Sequence, residues 1–383
     1  MGPASNERSW EALFDGLLNE QPAIARQIRD AIKARLSTYR DLPDGALDSE
    51  VGLEVERVLR SARAGRAALD DTEVAELAAI GEARAHQGVP VAEMLRAWRI
   101  GVDVVVGYAR EVGRRLGIED AQVLEFVQST LAWSDVAMVT TAEAHRKAEL
   151  ARALSEEEER AAFVRGALFG TIAAGELRVR AEAHGLDPAA EYVAVRARLV
   201  EKVPARMQEQ ALGFQLPGQR RRGLAATIEG DIAGFMLDPP PREVDGVIGF
   251  GPPRSLDQLA ESYRLAARAL MTAEACGLRG AHDLASLGVR AAVAMDKDVG
   301  ELFAKRYLEP LASGGSASEL VATLRAYLAC GLHVERTATR LFVHQNTVRY
   351  RLTRFEELTG SSLRDTDVLL ELWWALEFSG MRL

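Results

Sequence analysis

The stretch RTATRLFVHQNTVRYRLTRFEEL, from Arg336 to Leu358, constrains the chain most, because its spacing reads as two short helices joined by a tight turn. In the first, predicted over Glu335 to Leu341, Ala338 and Leu341 stand three apart and face inward at helical spacing. A small residue there lets a second helix cross closely. Phe342 and Val343 are expected to supply apolar contacts at the turn, and His344, Gln345 or Asn346 to cap the next helix by accepting from its free amide groups. In that second helix Val348, Leu352 and Phe355 recur at i, i+4 and i+7, an inward face of about one third of the circumference. The opposite direction belongs to Asn346, Arg349, Tyr350 and Thr353, with Thr347 and Arg354 on one flank.

Between Arg336 and Arg354 there are five arginines (336, 340, 349, 351 and 354) and no carboxylate, in a chain of formal net charge −9. Arginines alone would be met by a solvated face on an amphipathic hairpin. The amide and hydroxyl side chains interleaved with them point instead to a helix that reads DNA. Arg349 suits guanine edges, Asn346 or Gln345 adenine edges, and Arg351, Arg354 and Thr347 phosphates. His344, Tyr350 and Thr353, with Arg336 and Arg340 from the first helix, complete the predicted DNA-binding set.

The run ELVATLRAYLACGLHVERTATRLFVHQNTVRYRLTRFEELTG, followed by LRDTDVLLELWWAL, closely resembles the C-terminal helix-turn-helix of PucR/CdaR-type bacterial transcriptional regulators, over about the last 65 residues. The HQNTVRYRL core, TLRAYL upstream and a Leu/Trp-rich final helix carry the resemblance. Leu332-His333 departs from it, since such regulators more often have small polar residues there. The resemblance implies a regulator, and an activator of neighbouring genes.

At 383 residues the chain is long enough for two or three domains. With 48% hydrophobic and 27% charged residues, extensive disorder is not expected. No apolar run reaches the length of a membrane helix, and Glu7, Arg8 and Asp15 around Trp10 do not form a signal peptide, so a cytoplasmic protein that does not engage a membrane is expected. Cys276 and Cys330 lack ligand spacing and are expected to fill small apolar slots, without disulfide or zinc. Net acidity argues against non-specific coating of nucleic acid and is compatible with one localised basic face.

Residues 8–150 show helical periodicity, with joints expected at Pro22, at Pro43-Asp44-Gly45 and at Gly88-Val89-Pro90. Pro90 is expected in the first turn of a helix whose Met94, Leu95, Trp98, Val102, Val105 and Tyr108 make one wide apolar face. The string ARAHQGVPVAEMLRAWRIG resembles the helical N-terminal domain of RsbR-type stressosome proteins, which implies a globin-like fold without haem. His86 stands alone and reads as a helix-end or surface histidine, so neither cofactor nor metal is expected. A groove between these helices is a candidate site for a small effector or a protein partner.

Residues 151–174 read as a charged helical linker, with Ser155 and Glu158 at capping-box spacing and a helix expected to restart near Ser155. A long helix pairing across a dimer and a solvated linker both suit this stretch. Residues 175–312 mix strands and helices. EYVAVRARLV is a predicted strand, Val203 to Leu212 a helix, and GLAATIEG with DIAGFMLD a hairpin bending at Gly230-Asp231. VDGVIGFG is another strand, and SLDQLAESYRLAARALMTAEACG a helix capped by Ser255 or Asp257 and stopped by Gly277. This α+β region, VIGFGPPRSLDQLAESYRLAARAL above all, resembles the degenerate GGDEF-like domain of PucR/CdaR regulators. Glu229-Gly230-Asp231-Ile232-Ala233 stands where a cyclase would carry its signature and lacks one glycine and the second acid, so no catalytic residue is assigned.

Gly314-Gly315 reads as a flexible joint before a C-terminal domain over 316–383. There Ser316 to Ala329 braces the reading pair, and Val368, Leu369, Leu372, Trp373 and Leu376, with Trp374 and Phe378 beside them, close a small core. Gly249-Phe250-Gly251 reads as a turn, and His282-Asp283 would point to opposite faces of a strand. The expected protein is therefore a multidomain α and α+β chain: an all-helical globin-like N-terminal domain, a degenerate GGDEF-like α+β domain and a C-terminal helix-turn-helix. It is expected to bind double-stranded DNA as a homodimer or larger assembly, under an unidentified small-molecule effector or protein partner. Two other readings stay open, a stressosome-like docking protein and a non-catalytic nucleotide receptor.

Overall fold

The computed structural model describes residues 3–40, 44–64, 69–198, 200, 203–214, 222–313 and 316–382. The expected joints at Pro43 and at Gly314-Gly315 lie outside the described residues. The chain divides into two compact units, Met1–Glu156 and Glu157–Leu383.

The first unit is helical: α1 (Pro3–Arg35), α2 (Asp44–Arg63), α3 (Asp71–His86), α4 (Val91–Leu116) and the first part of α5 (Asp120–Phe169). Its core is drawn from residues at three- and four-residue spacing. Leu13, Leu17, Ile24, Ile28 and Ile32 of α1 meet Val55 and Leu59 of α2, Met94 and Val105 of α4, and Phe126 and Trp133 of α5. Asp70 and Glu73 form a reciprocal capping box at the start of α3, and Gly117 in the left-handed region ends α4. Pro90 is the residue just before α4 and not in its first turn. His86 lies exposed in the last turn of α3.

Two expectations are corrected here. Pro22 does not break the chain; it lies inside α1, whose flanking Leu17 and Ile24 are fully buried. Burial of that apolar stripe outweighs the lost amide donor. Nor does a helix restart at Ser155. α5 continues to Phe169 because the SEEEER run is made of good helix formers supported by local pairs, Arg152 with Glu156 at 3.5 Å and Arg160 with Glu157 at 2.6 Å.

The second unit holds a five-stranded sheet in the order β2-β3-β1-β4-β5, with β1 (Tyr192–Arg198), β2 (Gly223–Ile228), β3 (Asp231–Met236), β4 (Val247–Arg254) and β5 (Gly280–His282). β1 is antiparallel to β3 and β4, and β4 is parallel to β5. α6 (Ala174–Ala183) precedes β1, and α7 (Ala205–Ala211) falls within the expected helix. The hairpin turns one residue earlier than expected. Glu229 and Gly230 both have positive φ, a two-residue turn of the primed type, and Asp231 already pairs with Ile228 across β2 and β3.

α8 (Leu259–Ala275) packs on β4 and β1. Gly249-Phe250-Gly251 is therefore strand and not turn, and its glycines have a packing role. A Cβ at Gly249 would stand 2.0 Å from Ala266 O, and one at Gly251 would stand 2.1 Å from Ser262 O. Ser262 Oγ accepts from Ala194 N at the β1–β4 irregularity and donates to Pro252 O. A short 3₁₀ turn, Leu256–Gln258, leads into α8, so neither Ser255 nor Asp257 caps that helix directly.

After α9 (Leu284–Leu287) and α10 (Arg290–Val293) come α11 (Lys297–Tyr307), α12 (Ala317–Ala329), α13 (Val334–Leu341), α14 (Gln345–Thr359) and α15 (Thr366–Gly380). Their common core contains Tyr307 and Leu311, so it draws on residues before position 316. α15 is tied to the preceding part of the unit. Arg290 pairs with Glu377 at 2.8 Å, Arg382 N donates to Ala275 O at 2.8 Å, and Phe378 covers Gly300.

Candidate nucleic-acid interface

The reading pair is α13 and α14. Ala338 is 4% exposed, which lets α14 cross close to α13. Val348, Leu352 and Phe355 form the predicted inner face of α14, and the Phe355 ring stacks on Tyr307 with centroids 6.4 Å apart. Truncating Phe355 to alanine would cost about 3–5 kcal/mol. Leu320 and Leu324 of α12 and Leu372 and Leu376 of α15 close the core. His344 caps α14, its Nδ1 accepting from Asn346 N at 3.2 Å.

With that face buried, the rest of α14 is presented outward. Asn346, Arg349, Tyr350, Thr353 and Arg354 are exposed, as are His344 and, on α13, Arg336 and Arg340; Gln345 and Thr347 are half-buried. Arg349 Nη1 donates to Asn346 Oδ1 at 3.4 Å, so the guanidinium and amide share one spot on the ridge. Among the described residues, no carboxylate pairs with Arg336, Arg340 or Arg349. Arg354 is shared with Glu357 at 2.9 Å.

Arg351 departs from the predicted set. Its side chain is 17% exposed and turns inward, paired with Glu319 and donating to Thr323 Oγ1 of α12. The reason is angular: position 351 lies beside the buried stripe, within reach of α12. Phe342 departs in the other direction. It was expected to pack at the turn, yet it is 95% exposed with φ 55 and ψ 40, while Val343 takes the inner contact. An apolar residue at a turn ordinarily reads as buried, so spacing gave no sign of this.

The hairpin acid of the sheet region is engaged. Asp231 is fully buried, with one carboxylate oxygen accepting from Arg196 Nε and the other from Arg198 Nη1, both at 2.7 Å. Arg198 also binds both oxygens of Glu274. Asp231 thus serves an ion-pair network along the sheet.

Two short helices at a tight left-handed turn, braced by α12 and α15, define a helix-turn-helix domain. Residues 320–378 match the PucR C-terminal helix-turn-helix domain, and residues 22–160 match the N-terminal domain of the RsbT co-antagonist protein rsbRD. The C-terminal domain is thus similar to the PucR helix-turn-helix, and the helical region before it to an RsbRD-type N-terminal domain.

It is 40% identical over 83 residues to an uncharacterized protein in the pkwA 5' region of Thermomonospora curvata, a stretch covering 21% of this chain and 46% of that one. It is 53% identical over 53 residues to an uncharacterized protein of Mycobacterium tuberculosis (14% and 12%), and 47% identical over 57 residues to the purine catabolism regulatory protein of Bacillus subtilis (15% and 11%). Each match thus spans less than half of the relative. A crystal structure of a regulator of polyketide synthase expression from Bifidobacterium adolescentis aligns over 58% of this chain and 98% of that one, at 18% identity and a TM-score of 0.27.

Proposed function

We propose that the chain is a sequence-specific DNA-binding transcriptional regulator of the PucR type, acting as a dimer, activating its target genes and answering to an effector. The observation that carries this is the ridge of α14. Asn346, Arg349, Tyr350 and Thr353 stand exposed opposite a fully packed face, flanked by Arg336, Arg340 and Arg354, on a chain whose net charge is −9. A helix so presented enters the major groove. Arg349 then takes a guanine edge, Asn346 an adenine edge, and Arg336, Arg340 and Arg354 meet phosphates. One such head contacts few base pairs, and two on a symmetric site multiply specificity, which is the support for a dimer. The match of residues 22–160 to an RsbRD N-terminal domain favours a second reading, in which that domain docks protein partners.

The test selects bound fragments from genomic DNA with the full chain, then measures affinity for one operator at fixed salt. Arg349→Ala is expected to weaken binding by about 1–3 kcal/mol and relax one base position. Equal affinity for the operator and for scrambled DNA would overturn the reading.

A further inference from the structure

Within the first unit, α1 to α5 line a cavity of about 100 Å³. Most of the wall is apolar, from residues such as Ile28, Val55, Trp98 and Val102. One strip of α5 differs. Thr130, Trp133 and Ser134 stand at i, i+3 and i+4, share one helix face, and all line the cavity. Their relative exposures are 0, 1 and 1%, yet Thr130 Oγ1, Trp133 Nε1 and Ser134 Oγ have no hydrogen-bond partner.

That is unusual on two counts. Threonine and serine inside a helix ordinarily satisfy the hydroxyl on the carbonyl four residues back. Thr141 does so on this same helix, donating to Ala137 O at 2.7 Å. Each unsatisfied buried group also costs about 1–3 kcal/mol. Three such groups on one face, all lining one cavity, are accounted for when a ligand atom supplies their partner.

The arginine on the cavity wall is already matched. Arg84 pairs with Glu50, donates to Gln87 Oε1 at 2.6 Å and lies 5.5 Å from the centre of the Tyr39 ring. Glu54 pairs with Arg57 through Oε1, while its Oε2 is buried without a hydrogen-bond partner. An anionic ligand would lose its hydration without gaining a free counter-ion.

We propose that this cavity binds a small, uncharged, chiefly apolar molecule whose single oxygen accepts from Trp133 Nε1 and from the hydroxyl of Thr130 or Ser134. The indole is the fixed donor of the set, since it has no acceptor role. The site gives a chemical class to the effector of the regulator, and in that role it rests on the functional reading above. Binding itself is measured without DNA, so the two fail separately.

Three probes of one size separate the terms by calorimetric titration of the full chain: acetophenone carries an acceptor, ethylbenzene has none, and benzoate is charged. Acetophenone is expected to bind at least about tenfold more tightly than either of the others, the effect of one well-placed buried hydrogen bond. Trp133→Phe is expected to reduce that preference over ethylbenzene to about threefold or less. The double variant Thr130→Val, Ser134→Ala reports on the same wall with nearly conserved volume, should Trp133→Phe fail to fold, and is expected to reduce the preference at least about threefold. Equal affinity for acetophenone and ethylbenzene, tighter binding of benzoate, no binding of acetophenone at millimolar concentration, or an undiminished preference in the folded variants would each overturn the assignment.

Discussion

Arg351 and Glu319 form an ion pair between the reading helix and its brace, and Thr323 Oγ1 lies 3.3 Å from the same guanidinium. An arginine in the middle of a basic ridge is thereby spent on the domain's interior. Glu319 is largely exposed, so the pair is worth about 1 kcal/mol or less. Glu319→Ala is expected to lower the urea midpoint by that order while leaving operator affinity within about twofold at fixed salt. Arg351→Ala that kept full stability but lost most of its affinity would return the residue to the DNA contacts.

Phe342 holds a left-handed backbone that costs a side-chain-bearing residue about 1–2 kcal/mol, and it gains no burial in exchange. On the functional reading proposed above, its exposed ring beside the cap of α14 is free to meet a sugar or a thymine methyl. Phe342→Gly is predicted to leave the melting temperature unchanged or higher while weakening operator binding at least about threefold. A lower melting temperature at unchanged affinity would mean that the ring packs within the protein.

Burial pushes the Glu54 carboxyl up to about 7; Arg57 beside it pulls the other way, and Glu76, Glu50 and Glu73 add to the rise. The native group keeps its proton to higher pH than the unfolded one, whose ordinary value is 4.5. Between 4.5 and about 7 the folded state therefore binds more protons, and stability falls as pH rises through that window. Thermal unfolding of the first unit should show a lower midpoint at about pH 8 than at about pH 5. Glu54→Gln should shrink the difference, Glu50 contributing the remainder with the same sign. A midpoint that rises with pH contradicts the assignment.

At Gly249 an added methyl would stand 2.0 Å from Ala266 O and 2.4 Å from Leu270 N, both backbone atoms of a packed helix. Gly249→Ala must push α8 off the sheet, at about 1–3 kcal/mol. A denaturant midpoint equal to that of the parent chain would show that the helix is not seated so closely.

The reading helix was legible because periodicity and chemistry agree there: Val348, Leu352 and Phe355 fix the inside, and the side-chain types name the outside. Arg351 was misplaced because a 100° step assigns direction but not the reach of a long side chain toward Glu319. The contribution of Tyr307 and Leu311 to the terminal core was hidden, since those residues precede an apparent Gly-Gly joint and their partners come from distant sequence. Gly249-Phe250-Gly251 read as a turn because glycine marks both turns and close packing, and only the position of α8 separates the two. Thr130, Trp133 and Ser134 gave no signal at all, because ordinary helical residues reveal a missing partner only when their surroundings are known.

Arg290 and Glu377, the Arg382 amide on Ala275, and Phe378 over Gly300 fasten the C-terminal residues to α8 and to the segment that follows β5. The helix that closes the terminal core is consequently anchored at its far end and not left as a tethered hook. A chain cut short of Glu377 would lose that linkage while keeping Val348, Leu352 and Phe355 in place on the buried face of α14.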